Sequence, residues 1–163
     1  MVEYKGTAIK GEDIRTKVLA IEYKPVAKYS WSTGIAIGRF LKELRNGKII
    51  GRKCNKCSRV TTPPRMFCEK CFRESDEWVY LKDTGTVNTF ALSYIAFDTT
   101  KLEKPVIPAV IWLDGADNAG FLHILGEAEP KDVKIGMRVK AVWKEANERK
   151  GDITDIKYFK PLE

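Results

Sequence analysis

The sequence is poor in the groups that most enzymes need. It has one histidine, His123, and its four cysteines all fall in two CxxC pairs. A Cys/His or Ser/His pair therefore has at most one candidate base. No G-x-S-x-G elbow, P-loop or G-x-G-x-x-G stretch occurs, and the carboxylates are scattered without an obvious convergent pair. His123 lies mid-strand between Leu122 and Ile124, so its side chain points away from theirs and reads as a packed or surface residue rather than a general base. Long apolar runs are also missing, so no segment reads as a membrane span. Lys5, Lys10, Glu12 and Asp13 interrupt the N-terminal stretch before a secretory signal develops.

What is present is concentrated at Cys54-Asn-Lys-Cys57 and Cys68-Glu-Lys-Cys71, with ten residues between the pairs. Two residues between cysteines let both thiolates of a knuckle turn to one point, and two knuckles close a tetrahedral shell around Zn²⁺. Lys53, Lys56, Arg59, Arg65, Lys70 and Arg73 surround them and offset the anionic charge of a four-thiolate centre. Pro63-Pro64 stiffens the loop between the knuckles. Two disulfides would need an oxidising compartment, a redox CxxC usually belongs to a βαβ pattern, and a four-iron cluster uses a tighter cysteine run. The pattern predicts structural zinc on Cys54, Cys57, Cys68 and Cys71, with iron in a rubredoxin-like site as the alternative. A closed four-thiolate shell leaves no open position, so the metal stabilises rather than catalyses. With metal accounting for the cysteines, the expected compartment is the cytoplasm.

The net charge of +7 is unevenly spread. Residues 1–53 hold 12 Lys/Arg against 5 Asp/Glu, residues 54–82 hold 6 against 4, and residues 83–163 hold 11 against 13. A groove tracking a phosphate backbone through the slightly acidic C-terminal half would be electrostatically odd, which counts against a nucleic-acid-binding alternative.

Residues 1–31 form an aromatic-rich arm with no sustained periodicity; Val18-Leu19-Ala20-Ile21 suits a short strand ended by Pro25. Residues 33–46 read as a helix, with Ile37, Phe40, Leu41 and Leu44 as its apolar stripe, Ser32 or Thr33 as N-cap and Asn46-Gly47 as its stop. Gly34 and Gly38 recur one turn apart, as helix–strand packing or a ligand or partner backbone close to that face would require. Lys48 to Arg52 and Arg59 to Thr62 suit strands flanking the first knuckle, and Trp78 to Leu81 a strand after the second. Beyond a boundary near Lys82-Asp83 only strands follow: 85–95, 106–113, 120–125, 137–143 and 152–159, with a link over 129–135. The expected fold is mainly β: an N-terminal arm over 1–31, a helix plus a rubredoxin-like zinc ribbon over 32–82, and a five-stranded antiparallel OB-fold barrel over 83–163.

Phe40-Leu-x-x-Leu44, Gly47-Lys-Ile-x-Gly51, the two CxxC pairs, Pro63-Pro64-Arg65, Gly85-x-Val87-x-Thr89-Phe90 and Lys134-Ile135-Gly136-Met137-x-Val139 occur here in one order. In this the chain resembles the zinc-ribbon plus OB-fold family called domain of unknown function 35, over about residues 30–160. The resemblance implies a non-catalytic accessory subunit that handles acyl-CoA and bridges a thiolase and a hydroxymethylglutaryl-CoA (HMG-CoA) synthase, in the mevalonate branch of isoprenoid synthesis. Coenzyme A brings phosphates that want Arg or Lys and a helix N-terminus, and a pantetheine arm that wants an apolar slot. Arg39, Lys42, Arg45 and Lys48 offer the charge; Trp31, Ile35 and Phe40 offer the slot, beside Gly34 and Gly38, although Phe40 also suits the core stripe.

Overall fold

The computed structural model describes residues 10–12, 26–96 and 98–162. The strand expected over 18–21 lies outside them. The chain divides into two compact units, Met1–Ser32 and Thr33–Glu163. Within the first, the rings of Tyr29 and Trp31 meet edge to face with centroids 5.7 Å apart.

The second unit opens with α1 (Gly34–Arg45) and continues into β1 (Ile49–Lys53), β2 (Val60–Thr61), β3 (Phe67–Cys68), β4 (Arg73–Glu74) and β5 (Glu77–Leu81). β2, β1 and β5 make one antiparallel sheet, and β3 and β4 a small hairpin. The remaining strands are β6 (Thr84–Phe90), β7 (Ser93–Ile95), β8 (Lys101–Leu113), β9 (Gly120–Leu125), β10 (Arg138–Trp143) and β11 (Ile156–Pro161). β6 pairs with both β8 and β10, β8 with β9, β9 with β11, and β11 with β10, so five strands close a ring in the OB-fold order.

Two expectations about strand pairing change. The β9–β11 pairing, Leu125 against Phe159, is parallel, not antiparallel. The reason is counting: directions that alternate around a ring cannot return to their start after five strands. The strand expected over 85–95 is broken at Ala91-Leu92, where the Ala91 N–H donates to the Pro108 carbonyl at 3.0 Å. Beyond that break β7 pairs with the first half of β8, which begins at Lys101, before the expected Val106.

The helix lies where it was expected but rotated. Its buried residues are Ala36, Phe40 and Leu44, while Ile37 is turned outward. These sit four apart and make a narrow stripe. Phe40 meets Phe121 of β9 edge to face at 6.3 Å. Thr33 makes no side-chain cap, so the expected hydroxyl cap is absent at that residue. The stop is as expected: Gly47 has φ +70° and its N–H donates to Leu44 O at 2.8 Å.

One core serves the whole unit. Leu44 and Ile49-Ile50 from the helix and β1 are fully buried with Val87, Ile111, Val139, Ile156 and Phe159 of the barrel. His123 packs as expected from its strand position: its ring lies 5.6 Å from Phe159 and 6.5 Å from Phe121, with Nε2 3.3 Å from Ile153 O. Before β11, Asp155 is buried and its carboxylate accepts N–H bonds from Lys150, Gly151 and Asp152 at 2.9, 2.7 and 3.2 Å, satisfying a tight turn. No helix among the described residues is long and apolar enough to cross a membrane.

At one barrel end Asp114 is held by the guanidinium of Arg138, which donates Nη1 to Oδ1 at 2.7 Å and Nη2 to Oδ2, and by the Thr84 hydroxyl. These bonds hold its carboxyl down to about 2, below the ordinary value of about 3.9. A depressed folded-state value contributes stability above the unfolded value and loses it as pH falls through the folded one. Asp114→Asn should therefore lower the urea midpoint at pH 6, and the gap to wild type should narrow between about pH 4 and about pH 2. A gap that stays constant over that range would show that the carboxylate's charge contributes nothing.

Candidate metal centre and cationic face

The two knuckles are built alike. Cys54 N–H donates to Arg59 O at 2.9 Å and closes the first; Phe72 N–H donates to Cys68 O at 2.9 Å and closes the second. The residue after each second cysteine, Ser58 and Phe72, has left-handed backbone, with φ +59° and +52°. That reversal turns each pair of thiols inward. The four Sγ atoms all lie within 4.8 Å of one another, with Cys57 and Cys68 3.6 Å apart. A tetrahedral ion with bonds of about 2.3 Å needs sulfur–sulfur edges of about 3.8 Å, so the set fits structural zinc. None of the four is in a disulfide.

The local electrostatics suit a cation. Backbone N–H bonds from Cys57 and Lys56 draw the Cys54 thiol down to about 7, whereas burial and the neighbouring thiols push Cys71 up to about 12. Thiols so crowded resist joint ionisation until positive charge is placed among them. The arginines expected to offset the thiolates are held by carboxylates: Arg59 and Arg65 reach Glu69 at 2.5 and 3.7 Å, and Arg73 reaches Asp76 at 2.7 Å.

The other candidate residues gather only in part. The guanidinium of Arg39 lies 4.4 Å from the Trp78 ring centroid, and Lys48 Nζ lies 5.3 Å from that of Tyr80. Lys42 and Arg45 are exposed on the same helix. Ile35 is exposed, and Phe40 is sealed in the core, so Phe40 lines no slot. Gly34 has φ +66° and would meet nothing with a Cβ, while a Cβ at Gly38 would meet the Thr33 hydroxyl at 3.1 Å. Conformation and the helix's own first turn account for these glycines. Trp31 belongs to the 1–32 unit.

Sequence reading missed Arg52, Trp78 and Tyr80 on this face. Arg52 is buried, lies 4.9 Å from the Trp78 centroid, and donates to Ser75 O and to Met66 Sδ, leaving Nε without a partner. The available signal was alternation: Trp78 and Tyr80 are two apart on one strand and share a face.

A thiolate-clustered ribbon fused to a closed five-stranded barrel defines a two-module zinc-ribbon/OB-fold protein. Residues 41–77 match the family described as "ChsH2, rubredoxin-like zinc ribbon domain", and residues 78–144 match "ChsH2, C-terminal OB-fold domain". A "DUF35 domain-containing scaffold protein" of Methanocaldococcus jannaschii is 34% identical over 119 residues, 71% of this chain and 82% of that protein. One of the same description from Methanothermobacter thermautotrophicus is 26% identical over 69% of this chain and 86% of its own. A solved DUF35-family protein of unknown function from Sulfolobus solfataricus has TM-score 0.60 and 33% identity, covering 68% of this chain and 79% of its own. The structure titled "Ltp2-ChsH2(DUF35) aldolase" has TM-score 0.57 over 82% of this chain and 98% of its own; at 19% identity it shows the fold alone. This chain belongs to the DUF35 family of zinc-ribbon and OB-fold proteins.

Purified protein should carry one zinc per chain by elemental analysis. Chelation or Cys68→Ser should lower the melting midpoint by on the order of 10 °C, since ion binding is coupled to folding of the ribbon. A preparation that is fully folded and empty of metal would refute a structural role.

Proposed function

We propose that this protein is a non-catalytic, cytoplasmic scaffold subunit that handles acyl-CoA thioesters and bridges a thiolase and an HMG-CoA synthase-type enzyme. The observation that carries this reading is the cationic, aromatic face of α1 and β5. There Arg39 and Lys48 sit over Trp78 and Tyr80, with Lys42 exposed on the same helix, while Arg45 lies on the helix flank near Gly151. Stacking holds Arg39 and Lys48 in place while leaving them charged, which suits phosphate groups or an acidic partner surface. The scaffold descriptions of the archaeal relatives support the non-catalytic part. So does the use made of the reactive groups: four thiols in one cluster and His123 among aromatic rings.

The nucleic-acid alternative has less support. An OB-fold binds strands of nucleic acid on the face of its second and third strands, with stacking aromatics and basic neighbours. Here those strands are β8 and β9. Phe121 is turned into the core, which leaves Trp112 without a second stacking ring. Val110, Leu122 and Ile124 carry the rest of that face, and the cations near Trp112, Arg59 and Arg65, are paired with Glu69 at one end of it.

The test is calorimetry with CoA, together with pull-down of the thiolase and synthase of the source organism. The double variant Arg39→Glu, Lys42→Glu should weaken CoA binding about tenfold or more and reduce enzyme recovery, with its circular dichroism unchanged. Wild-type binding by that variant would sink the assignment of this face. Turnover of an acyl thioester by the isolated chain would sink the non-catalytic reading.

A further inference from the structure

The barrel follows the inside-outside rule on three strands and breaks it on two. On β6, β10 and β11 the outward side chains include Thr84, Thr86, Arg138, Lys140 and Lys160. Where β8 pairs with β9, the outward side chains include Val110, Trp112, Leu122 and Ile124, with Val106 just before, and Leu122 is 64% exposed. The register sets Val110 opposite Leu122 and Pro108 opposite Ile124, so these residues form one continuous row. Trp112 lies opposite Gly120, which has no side chain to cover its indole. β8 is paired with β6 on one edge and β9 on the other, so it offers a visitor side chains rather than free backbone. An exposed apolar row of this kind on a small charged protein marks an interaction surface.

What lies at the end of the row narrows the choice of partner. Trp112 and Val110 run into a cleft of about 230 Å³ between ribbon and barrel, lined also by Thr62, Arg59, Arg65 and Glu69. The β8–β9 turn is pinned to β2, with Asp117 N–H on Val60 O at 2.9 Å and Val60 N–H on Asp117 Oδ2 at 2.6 Å. Row and cleft are therefore one surface. Within the cleft two guanidiniums share the Glu69 carboxylate, which leaves positive charge in excess, and the Arg65 side chain remains 69% exposed.

We propose that this row and cleft dock an enzyme subunit through an apolar segment that carries an acidic side chain. Its apolar residues cover Val110, Leu122 and Ile124, and its carboxylate enters the cleft to pair with Arg65 beside Trp112. A second copy of this chain is the poorer occupant, because each copy carries a net charge of +7 and the cleft calls for an acid. The proposal rests on the scaffold reading and extends it: a protein that bridges two enzymes needs a second face besides α1 and β5.

The experiment is photo-crosslinking in native extract, with benzoylphenylalanine placed at Leu122 or, as a control, at outward-facing Lys140, and mass-spectrometric mapping of the products. The expected result is an enzyme subunit crosslinked from position 122 and not from 140, through a peptide containing Asp or Glu. Leu122→Glu and Arg65→Glu should each lower its recovery about tenfold or more, while zinc content and circular dichroism stay as in wild type. The Arg39→Glu, Lys42→Glu variant should keep the 122 crosslink. Undiminished recovery by Leu122→Glu, or crosslinks only from 140, would overturn the surface and leave the scaffold reading standing. No enzyme recovered by the wild-type chain would overturn both. A crosslink from 122 to a second copy, with a dimer in sedimentation that Leu122→Glu dissociates, would give the face to self-association instead.

Discussion

Confinement of four sulfur atoms to one cluster, all within 4.8 Å, is the constraint on which the ribbon depends. Three of the ribbon strands, β2, β3 and β4, are two residues long. Strands that short gain too few hydrogen bonds and too little buried area to offset their ordering. A bound ion ties the two knuckles at one point and lends its binding free energy to the fold. The surfaces follow from that. Arg59 and Arg65 lie on the segment running between the knuckles, and β5, carrying Trp78 and Tyr80, leaves the second knuckle.

The barrel contributes a rigid anchor rather than a second independent body. Leu44, Ile49 and Ile50 are buried in the same cluster as Ile111 and Phe159, so the helix, the ribbon sheet and the barrel are stabilised by one apolar core. Asp117 ties the β8–β9 turn to β2 by backbone and side-chain bonds. Displacing the ribbon would expose part of that core and break those bonds together, at a cost set by apolar area as well as hydrogen bonding. The α1–β5 face and the β8–β9 row thus belong to a single unit, with Lys48, Arg59 and Arg65 on segments that connect its regular elements.

The two faces differ in chemistry. Along α1 and β5, cations rest on aromatic rings and stay in water, an arrangement that selects for negative charge and weakens with salt. On β8 and β9 an apolar row ends at paired arginines, an arrangement whose strength comes from desolvation, with charge fixing register at one end. The His123 ring packs among those of Phe121 and Phe159.

The metal site was legible in the sequence because CxxC spacing is a local property, fixed by the reach of two thiols across a turn. The strands were legible for a similar reason, since alternation reports a buried face wherever it lies. Local pattern could not decide how faces were turned toward one another. Ile37 fits a helical stripe as well as Ala36 does, and only packing against Phe121 and β1 selects Ala36, Phe40 and Leu44. Phe121 and Trp112 lie on neighbouring strands, and only the closed ring turns one inward and the other out. Sequence alone determined the thiolate cluster, the helix stop at Asn46-Gly47 and the succession of ribbon and barrel. Tertiary structure decided the parallel β9–β11 closure, the stacking of Arg39 on Trp78, and the meeting of Arg59 and Arg65 with Trp112 across some fifty positions of chain, because such contacts depend on distance in space rather than along the sequence.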